Sequence, residues 1–326
     1  MKRVRVIGTG SYLPEKILTN SDLEKMVDTS DEWIVARTGI ERRRIAADNE
    51  NTSDLATKAA QRALEMAGVS ADEIDVIVLG TITGDYPWPA TACVVQHNIG
   101  ATNAYAYDIS AACSGFVYAL SNAVDYLQAG RGQKALVIGS EVLSRVIDWT
   151  DRNTCVLFGD GAGAVVLDLQ DGDSGVLSSH LHSDGSYLEL LYQPGFSTRH
   201  MATPEAIAAK TNTLKMQGNE VFKVAVRSLT DVSKEALAAN QLTSEDVKLF
   251  IPHQANRRIL EATAKRLKLT DEQCFINVQD YGNTSGATIP IAMDEANRQG
   301  LLQEGDLVLM AAFGGGFTWG SSLLRW

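Results

Sequence analysis

Ser70-Ala-Asp-Glu-Ile-Asp-Val-Ile-Val-Leu-Gly80 and Thr243-Ser-Glu-Asp-Val-Lys-Leu-Phe-Ile-Pro-His253 have the same shape, a short turn feeding a buried strand. Aligning the two strands sets His253 against Gly80, an offset of 173 residues. The next expected strands, Ala106-Tyr-Asp-Ile and Phe275-Ile-Asn-Val, each lead into a turn rich in small residues, at an offset of 169. Ala135-Leu-Val-Ile-Gly and Leu307-Val-Leu-Met-Ala follow at an offset of 172. Each half also carries a helix before its first matched strand, around residues 54–67 and 219–239. Three near-constant offsets in chain order predict a duplicated α/β unit, with one half over residues 1–172 and the other over 173–326.

The totals narrow the possibilities. With 326 residues, 45% hydrophobic and 21% charged, the chain has the composition of a soluble globule with ample core. A formal charge of −11 argues against general affinity for nucleic acid or anionic membranes. Cys93, Cys113, Cys155 and Cys274 are too few and too scattered for a disulfide scaffold, which fits a reducing compartment. The N-terminal apolar run is too short for a signal peptide. Leu307 to Trp326 holds one charge, Arg325, but Phe313-Gly-Gly-Gly-Phe interrupts it, so two buried strands joined by a glycine loop are expected instead of a membrane helix. A cytoplasmic protein is expected.

Cys113 carries the chemistry. In Tyr107-Asp-Ile-Ser-Ala-Ala-Cys-Ser-Gly-Phe-Val-Tyr-Ala-Leu120 the residues before it read as a strand and those after Gly115 as a helix. The positive end of that helix is expected to lower the thiol from about 8.5 toward neutrality. A buried structural cysteine is the ordinary alternative. His253 lies where a strand gives way to a helix, and Asn283 lies in Tyr281-Gly-Asn-Thr-Ser-Gly-Ala-Thr288. Ligands of open α/β sheets bind at the carboxyl ends of strands, so all three can meet between the halves.

The runs around Cys113, His253-Gln-Ala-Asn256, Gly282-Asn-Thr-Ser-Gly286 and Phe313-Gly-Gly-Gly-Phe-Thr-Trp-Gly320 resemble the β-ketoacyl-acyl carrier protein synthase III family, condensing enzymes of the thiolase fold. The resemblance extends from Gly8-Thr-Gly to Arg325-Trp326. It implies two similar halves with mixed five-stranded sheets in an α-β-α-β-α layering. It also implies that Cys113 takes an acyl group from acyl-CoA, a substrate and not a cofactor. Malonyl-acyl carrier protein then loses carbon dioxide and its carbanion attacks the thioester, the step that starts fatty acid synthesis.

These residue types suit the chemistry. A thiolate both attacks and leaves a thioester well. Donors from His253 Nε2 and the Asn283 amide would stabilise the enolate, at about 3 kcal/mol per donor. The backbone N–H groups of Cys113 and Gly315 would form the oxyanion hole of acyl transfer. By resemblance Phe313 lines the site, and Trp33 with Arg152 sandwiches the CoA adenine beside Arg37. Thr29, Phe222 and Asn256 are implied contacts of the CoA arm. An acidic carrier protein needs a positive landing site, for which Gln254, Ala255, Asn256, Arg257, Arg258, Lys265, Arg266 and Lys223 are the candidates.

Other signals lead elsewhere. Gly159-Asp-Gly-Ala-Gly-Ala precedes a strand, which disfavours a dinucleotide loop. His180 and His182 could share a strand face but lack an apparent third ligand, so no metal is expected. The resemblance implies a homodimer in which Trp88 reaches the partner's acyl pocket and favours a short starter such as acetyl. The competing readings are a relative serving secondary metabolism, a Cys–His thioester hydrolase, and a binding scaffold without catalysis.

Overall fold

The computed structural model describes residues 2–326. Its first sheet contains β1 (Lys2–Tyr12), β2 (Val76–Gly80), β3 (Tyr105–Ile109), β4 (Lys134–Glu141) and β5 (Gly161–Asp171), in the spatial order β1-β5-β4-β2-β3. Strand β2 pairs in parallel with β3 and β4, while β5 runs antiparallel to both its neighbours. A second sheet contains β6 (Gly175–Ser183), β7 (Leu249–Pro252), β8 (Leu307–Gly314) and β9 (Thr318–Arg325), in the order β7-β8-β9-β6. Its β7–β8 pair is parallel and the rest antiparallel, the same pattern as in the first sheet.

The duplication is more regular than the sequence offsets indicate. Lys2 and Gly175, Val76 and Leu249, and Lys134 and Leu307 open matching strands, each pair 173 residues apart. Gly115 and Thr288, which open the helices α2 (Gly115–Gln128) and α5 (Thr288–Arg298), share that spacing. The other long helices are α1 (Thr52–Ala67), α3 (Gly218–Ala239) and α4 (Arg257–Leu267).

The layers follow from where apolar residues fall. On α2, Phe116, Leu120, Ala123 and Leu127 recur at helical spacing, and Ile289, Ala292, Met293 and Ala296 do so on α5. Both stripes enter one core with Val137 and Val165 of the first sheet and Ile251, Val308 and Met310 of the second. The two helices are therefore sandwiched between the sheets. Helix α1 covers the outer face of the first sheet through Leu55, Ala59 and Ala63. Helix α3 covers the second through Ala225, Leu229 and Val232. Strand β2 sends Val76 and Val78 inward and Ile77 and Leu79 outward, so it reads as an unbroken apolar run. Burying each such side chain is worth about 1.5–3 kcal/mol.

One expectation is corrected: the second sheet has four strands. Where the first sheet has β3, the second half has a single bridge between Phe250 and Cys274. The reason is a side chain. Gln254 donates from Nε2 to the Phe275 carbonyl and accepts the Asn277 N–H on Oε1, taking backbone groups that a fifth strand would have paired. The halves meet closely, and a Cβ on Gly139 would overlap the Gly286 carbonyl oxygen.

Candidate active site

Cys113 lies in a tight turn, Ala112–Ser114, between β3 and α2. The matching turn of the second half, Ser285–Ala287, leads into α5. Each opens on a residue in the left-handed region, Ala112 at φ 46° and Ser285 at φ 51°. Such strain costs about 1–3 kcal/mol and persists where surrounding structure holds it. The turns touch, and a Cβ on Gly286 would lie 3.4 Å from the Ala112 carbonyl oxygen.

His253 follows β7 directly, its backbone N–H bonded to the Ala311 carbonyl of β8 at 2.8 Å. Asn283 is held through its backbone, N–H to the Leu157 carbonyl at 2.8 Å and C=O from the Gly159 N–H at 3.1 Å. Cys113, His253 and Asn283 line one cavity of about 740 Å³. Phe313, Phe222, Asn256, Trp33 and Arg37 line it as well.

The titration of these groups departs from the sequence expectation. Burial pushes the Cys113 thiol up to about 12, the Glu141 carboxylate adds to the rise, and a hydrogen bond with Ser285 opposes it. Loss of water is the largest of these effects, and the resting group is a thiol. Burial holds His253 down to about 3, so its imidazole is neutral.

The hydrogen bonds fix how that imidazole presents itself. His253 Nδ1 lies 2.7 Å from Thr288 Oγ1, whose hydroxyl donates to the Ser285 carbonyl at 3.0 Å. Thr288 has one proton, so Nδ1–H donates to it and the Nε2 lone pair faces the cavity. With the Thr288 hydroxyl engaged by the Ser285 carbonyl, Nε2 is an acceptor at rest and a donor once protonated. Asn283 is oriented the other way. Its Oδ1 accepts the Ser285 N–H at 2.8 Å, which leaves Nδ2 to donate into the cavity.

Glu141, at the end of β4, escaped the sequence reading. It is fully buried and accepts from Thr81 Oγ1 at 3.2 Å, from Thr83 Oγ1, from the Ile82 N–H, and on Oε1 from Ser285 Oγ at 3.1 Å. Burial pushes its carboxyl up to about 7. A charged residue closing the apolar run Ala135-Leu-Val-Ile was the available signal.

The outer residues divide. Arg37 and Arg152 each set a guanidinium 4.9 Å from the Trp33 ring centroid, and Arg152 Nη1 donates to the Asp28 carbonyl at 2.8 Å. Arg152 occupies the space that an adenine sandwiched between it and Trp33 would need. Thr29 lies outside the cavity lining with a buried, unpartnered hydroxyl. Gly315, beyond β8, is also outside the lining, whereas its neighbour Gly314 packs on the Cys113 backbone nitrogen. Arg257, Arg258, Lys265 and Arg266 are exposed on α4 and Lys223 on α3. Ala255 is half-buried at the cavity wall, and Asn256 accepts the Ile259 N–H as the α4 cap. Gln254 is corrected: it is buried, bonded through both ends of its amide, and turned away from any partner. His180 and His182 share Glu235, at 3.4 and 2.6 Å.

Known proteins match this arrangement across its length. Models of 3-oxoacyl-[acyl-carrier-protein] synthase III match residues 107–185 and, for its C-terminal part, residues 237–326. A β-ketoacyl-[acyl-carrier-protein] synthase III of Xanthomonas campestris is 57% identical over 99% of this chain and 98% of its own length. The chain belongs to the β-ketoacyl-acyl carrier protein synthase III family. Its relative of that name in Caldanaerobacter subterraneus is 53% identical over 98% of this chain and 97% of the relative. The crystal structure of 3-oxoacyl-[acyl-carrier-protein] synthase III from Aquifex aeolicus superposes with a TM-score of 0.92 at 50% identity, covering 99% of this chain and all of that one. The α-β-α-β-α layering is thus that of synthase III and of the thiolase-like fold to which it belongs.

Proposed function

We propose that this protein is the condensing enzyme that initiates fatty acid synthesis. Acyl-CoA, with acetyl-CoA as the starter, acylates Cys113, and malonyl-acyl carrier protein condenses with that thioester to give a 3-ketoacyl-acyl carrier protein. The observation that carries this reading is the convergence of Cys113, His253 and Asn283, from both halves, on one cavity.

Each residue has a part. Cys113 sulfur attacks the acyl thioester, and the Cys113 N–H receives the tetrahedral oxyanion. Asn283 Nδ2 donates to the malonyl thioester oxygen as carbon dioxide leaves and the enolate forms. An anion beside His253 favours its protonated form, so Nε2 takes a proton and joins Asn283 as a donor. Phe313 keeps water from the carbanion. No cofactor enters this scheme.

CoA would approach past Phe222 and Asn256, with Arg152 swinging off Trp33 to admit the adenine and Thr29 reaching the same arm. Arg257, Arg258, Lys265, Arg266 and Lys223 would receive the acidic carrier protein. Lys223 bonds Glu220 at 2.8 Å, and exposed pairs are worth at most about 1 kcal/mol, so a partner can displace it. Trp88, 84% exposed and outside its own chain's cavity, supports a homodimer in which it closes the partner's acyl pocket. No helix among the described residues is long and apolar enough to cross a membrane, which is compatible with a cytoplasmic site of action. The halves divide at residues 172 and 173.

Incubation with acetyl-CoA and malonyl-acyl carrier protein tests the reading. Acetoacetyl-acyl carrier protein is expected. Free acetate would identify a hydrolase, and acyl transfer without decarboxylation a specialised acyltransferase.

A further inference from the structure

Two contacts between the halves, related by the repeat, are built from different residues. Glu141 at the end of β4 meets Ser285, which opens the turn before α5. Their counterparts, each 173 residues away, are Gly314 at the end of β8 and Ala112, which opens the turn before α2. Ala112 and Ser285 share the left-handed backbone, at φ 46° and 51°. A Cβ on Gly314 would lie 3.2 Å from the Ala112 Cβ, so that pair meets through packing alone. The Glu141 contact is instead a hydrogen bond, from Ser285 Oγ to Oε1 at 3.1 Å, between two buried side chains. Turn and fold therefore need neither the hydroxyl nor the carboxylate. The hydroxyl stands only in the half that carries His253 and Asn283.

The backbone of Ser285 sets both of those residues. Its N–H donates to Asn283 Oδ1 at 2.8 Å, which aims Nδ2 into the cavity. Its carbonyl accepts from Thr288 Oγ1 at 3.0 Å, and Thr288 in turn fixes His253 Nδ1 at 2.7 Å. A left-handed residue other than glycine keeps its place only where the surroundings hold it. For Ser285 the side-chain hold is Glu141, itself fixed by the Thr81 and Thr83 hydroxyls and the Ile82 N–H. The placing of one hydroxyl therefore passes to His253 and to Asn283.

We propose that Glu141 and Ser285 are positioning residues for decarboxylation: the carboxyl group clamps one turn, and that turn aims His253 and Asn283 together. The proposal rests on the reading of those two residues as the enolate donors. The clamp requires an acceptor oxygen at Oε1 and moves no proton. Cys113 sits on the other turn, Ala112–Ser114, so acyl loading should not depend on the clamp.

The test follows two half-reactions on full-length enzyme: carbon dioxide release from malonyl-acyl carrier protein, and acetylation by acetyl-CoA read as intact-protein mass. Ser285→Ala keeps the backbone groups and removes the clamp. It should slow carbon dioxide release by about 10–10²-fold, the scale of misplaced donors, and take acetyl within about threefold of the wild-type rate. Glu141→Leu should do the same, and it carries the test alone if the alanine variant does not fold. Glu141→Gln retains an oxygen for Ser285 Oγ and should keep carbon dioxide release within about threefold of wild type. Wild-type release from Ser285→Ala or Glu141→Leu, equal slowing of both half-reactions, or a glutamine variant as slow as the leucine one would overturn the clamp. Wild-type enzyme that releases no carbon dioxide would overturn the donor reading beneath it, a distinguishable result.

Discussion

His253 Nδ1 and Thr288 Oγ1 are 2.7 Å apart, and that contact decides which nitrogen of the imidazole meets a substrate. The Thr288 hydroxyl donates to the Ser285 carbonyl, so its oxygen is left to accept from Nδ1–H. Replacing Thr288 by Val removes the acceptor and leaves a buried N–H unpaired, at about 1–3 kcal/mol. We expect Thr288→Val to slow malonyl decarboxylation roughly tenfold or more while acyl loading proceeds. Carbon dioxide release and acyl-enzyme formation, measured on the same preparation, check this. Equal slowing of both would argue against a role confined to the imidazole.

Asn283 should separate the half-reactions more sharply. Its Nδ2 faces the cavity because the Ser285 N–H occupies Oδ1. Asn283→Ala is expected to accept acetyl at Cys113 at the wild-type rate and to lose decarboxylation by on the order of 10²–10³. Normal carbon dioxide release from that variant would remove its assigned role.

The Trp33 ring, with Arg37 and Arg152 each 4.9 Å from its centroid, should contribute to binding and not to chemistry. Trp33→Ala should raise the half-saturating acyl-CoA concentration about tenfold, the value of a lost stack of 1–2 kcal/mol, with the maximal acylation rate kept. A fall in maximal rate at saturating acyl-CoA would place Trp33 differently.

Lys265 and Arg266 are exposed on α4, on a protein whose net charge is −11. Reversing both to Glu should weaken malonyl-acyl carrier protein binding, reduce its dependence on salt, and leave acetylation by acetyl-CoA alone. Unchanged carrier-protein kinetics would move the docking surface elsewhere.

The depressed His253 pKa has a stability consequence. The unfolded imidazole takes a proton near pH 6.5, whereas the folded one resists until about 3. The unfolded state therefore binds more protons in that window, and stability falls as pH drops from 6.5 toward 3. His253→Asn should flatten that decline, read as melting temperature against pH. Glu141 works in the opposite direction. Its folded pKa is raised from 4.5 to about 7, so its contribution to stability falls as pH rises between those values.

Much of this was legible in the chain. The apolar runs ending at Gly80 and His253 disclosed the repeat, because strands buried on both faces leave uninterrupted hydrophobic stretches. Cys113 and His253 could be placed because strand ends of matched halves meet, whereas Asn283 reaches the same cavity after a short helix, Val278–Tyr281, and not after a strand. What was hidden depended on side chains crossing between distant segments. The missing fifth strand turns on Gln254 bonding Phe275 and Asn277, and the same bonds withdraw Gln254 from the surface. The thiol's pKa was misread because a helix end is visible in sequence and the depth of burial is not. Glu141 escaped notice because only the fold brings Ser285, Thr81 and Thr83 against it.

The central claim is that Cys113 carries the acyl group between two substrates. Peptide mapping after exposure to isotopically labelled acetyl-CoA, followed by a chase with malonyl-acyl carrier protein, tests it most directly. The account predicts label on the Cys113 peptide that moves into 3-ketoacyl-acyl carrier protein during the chase. Label on another residue, or equal labelling of a Cys113→Ala variant, would contradict it.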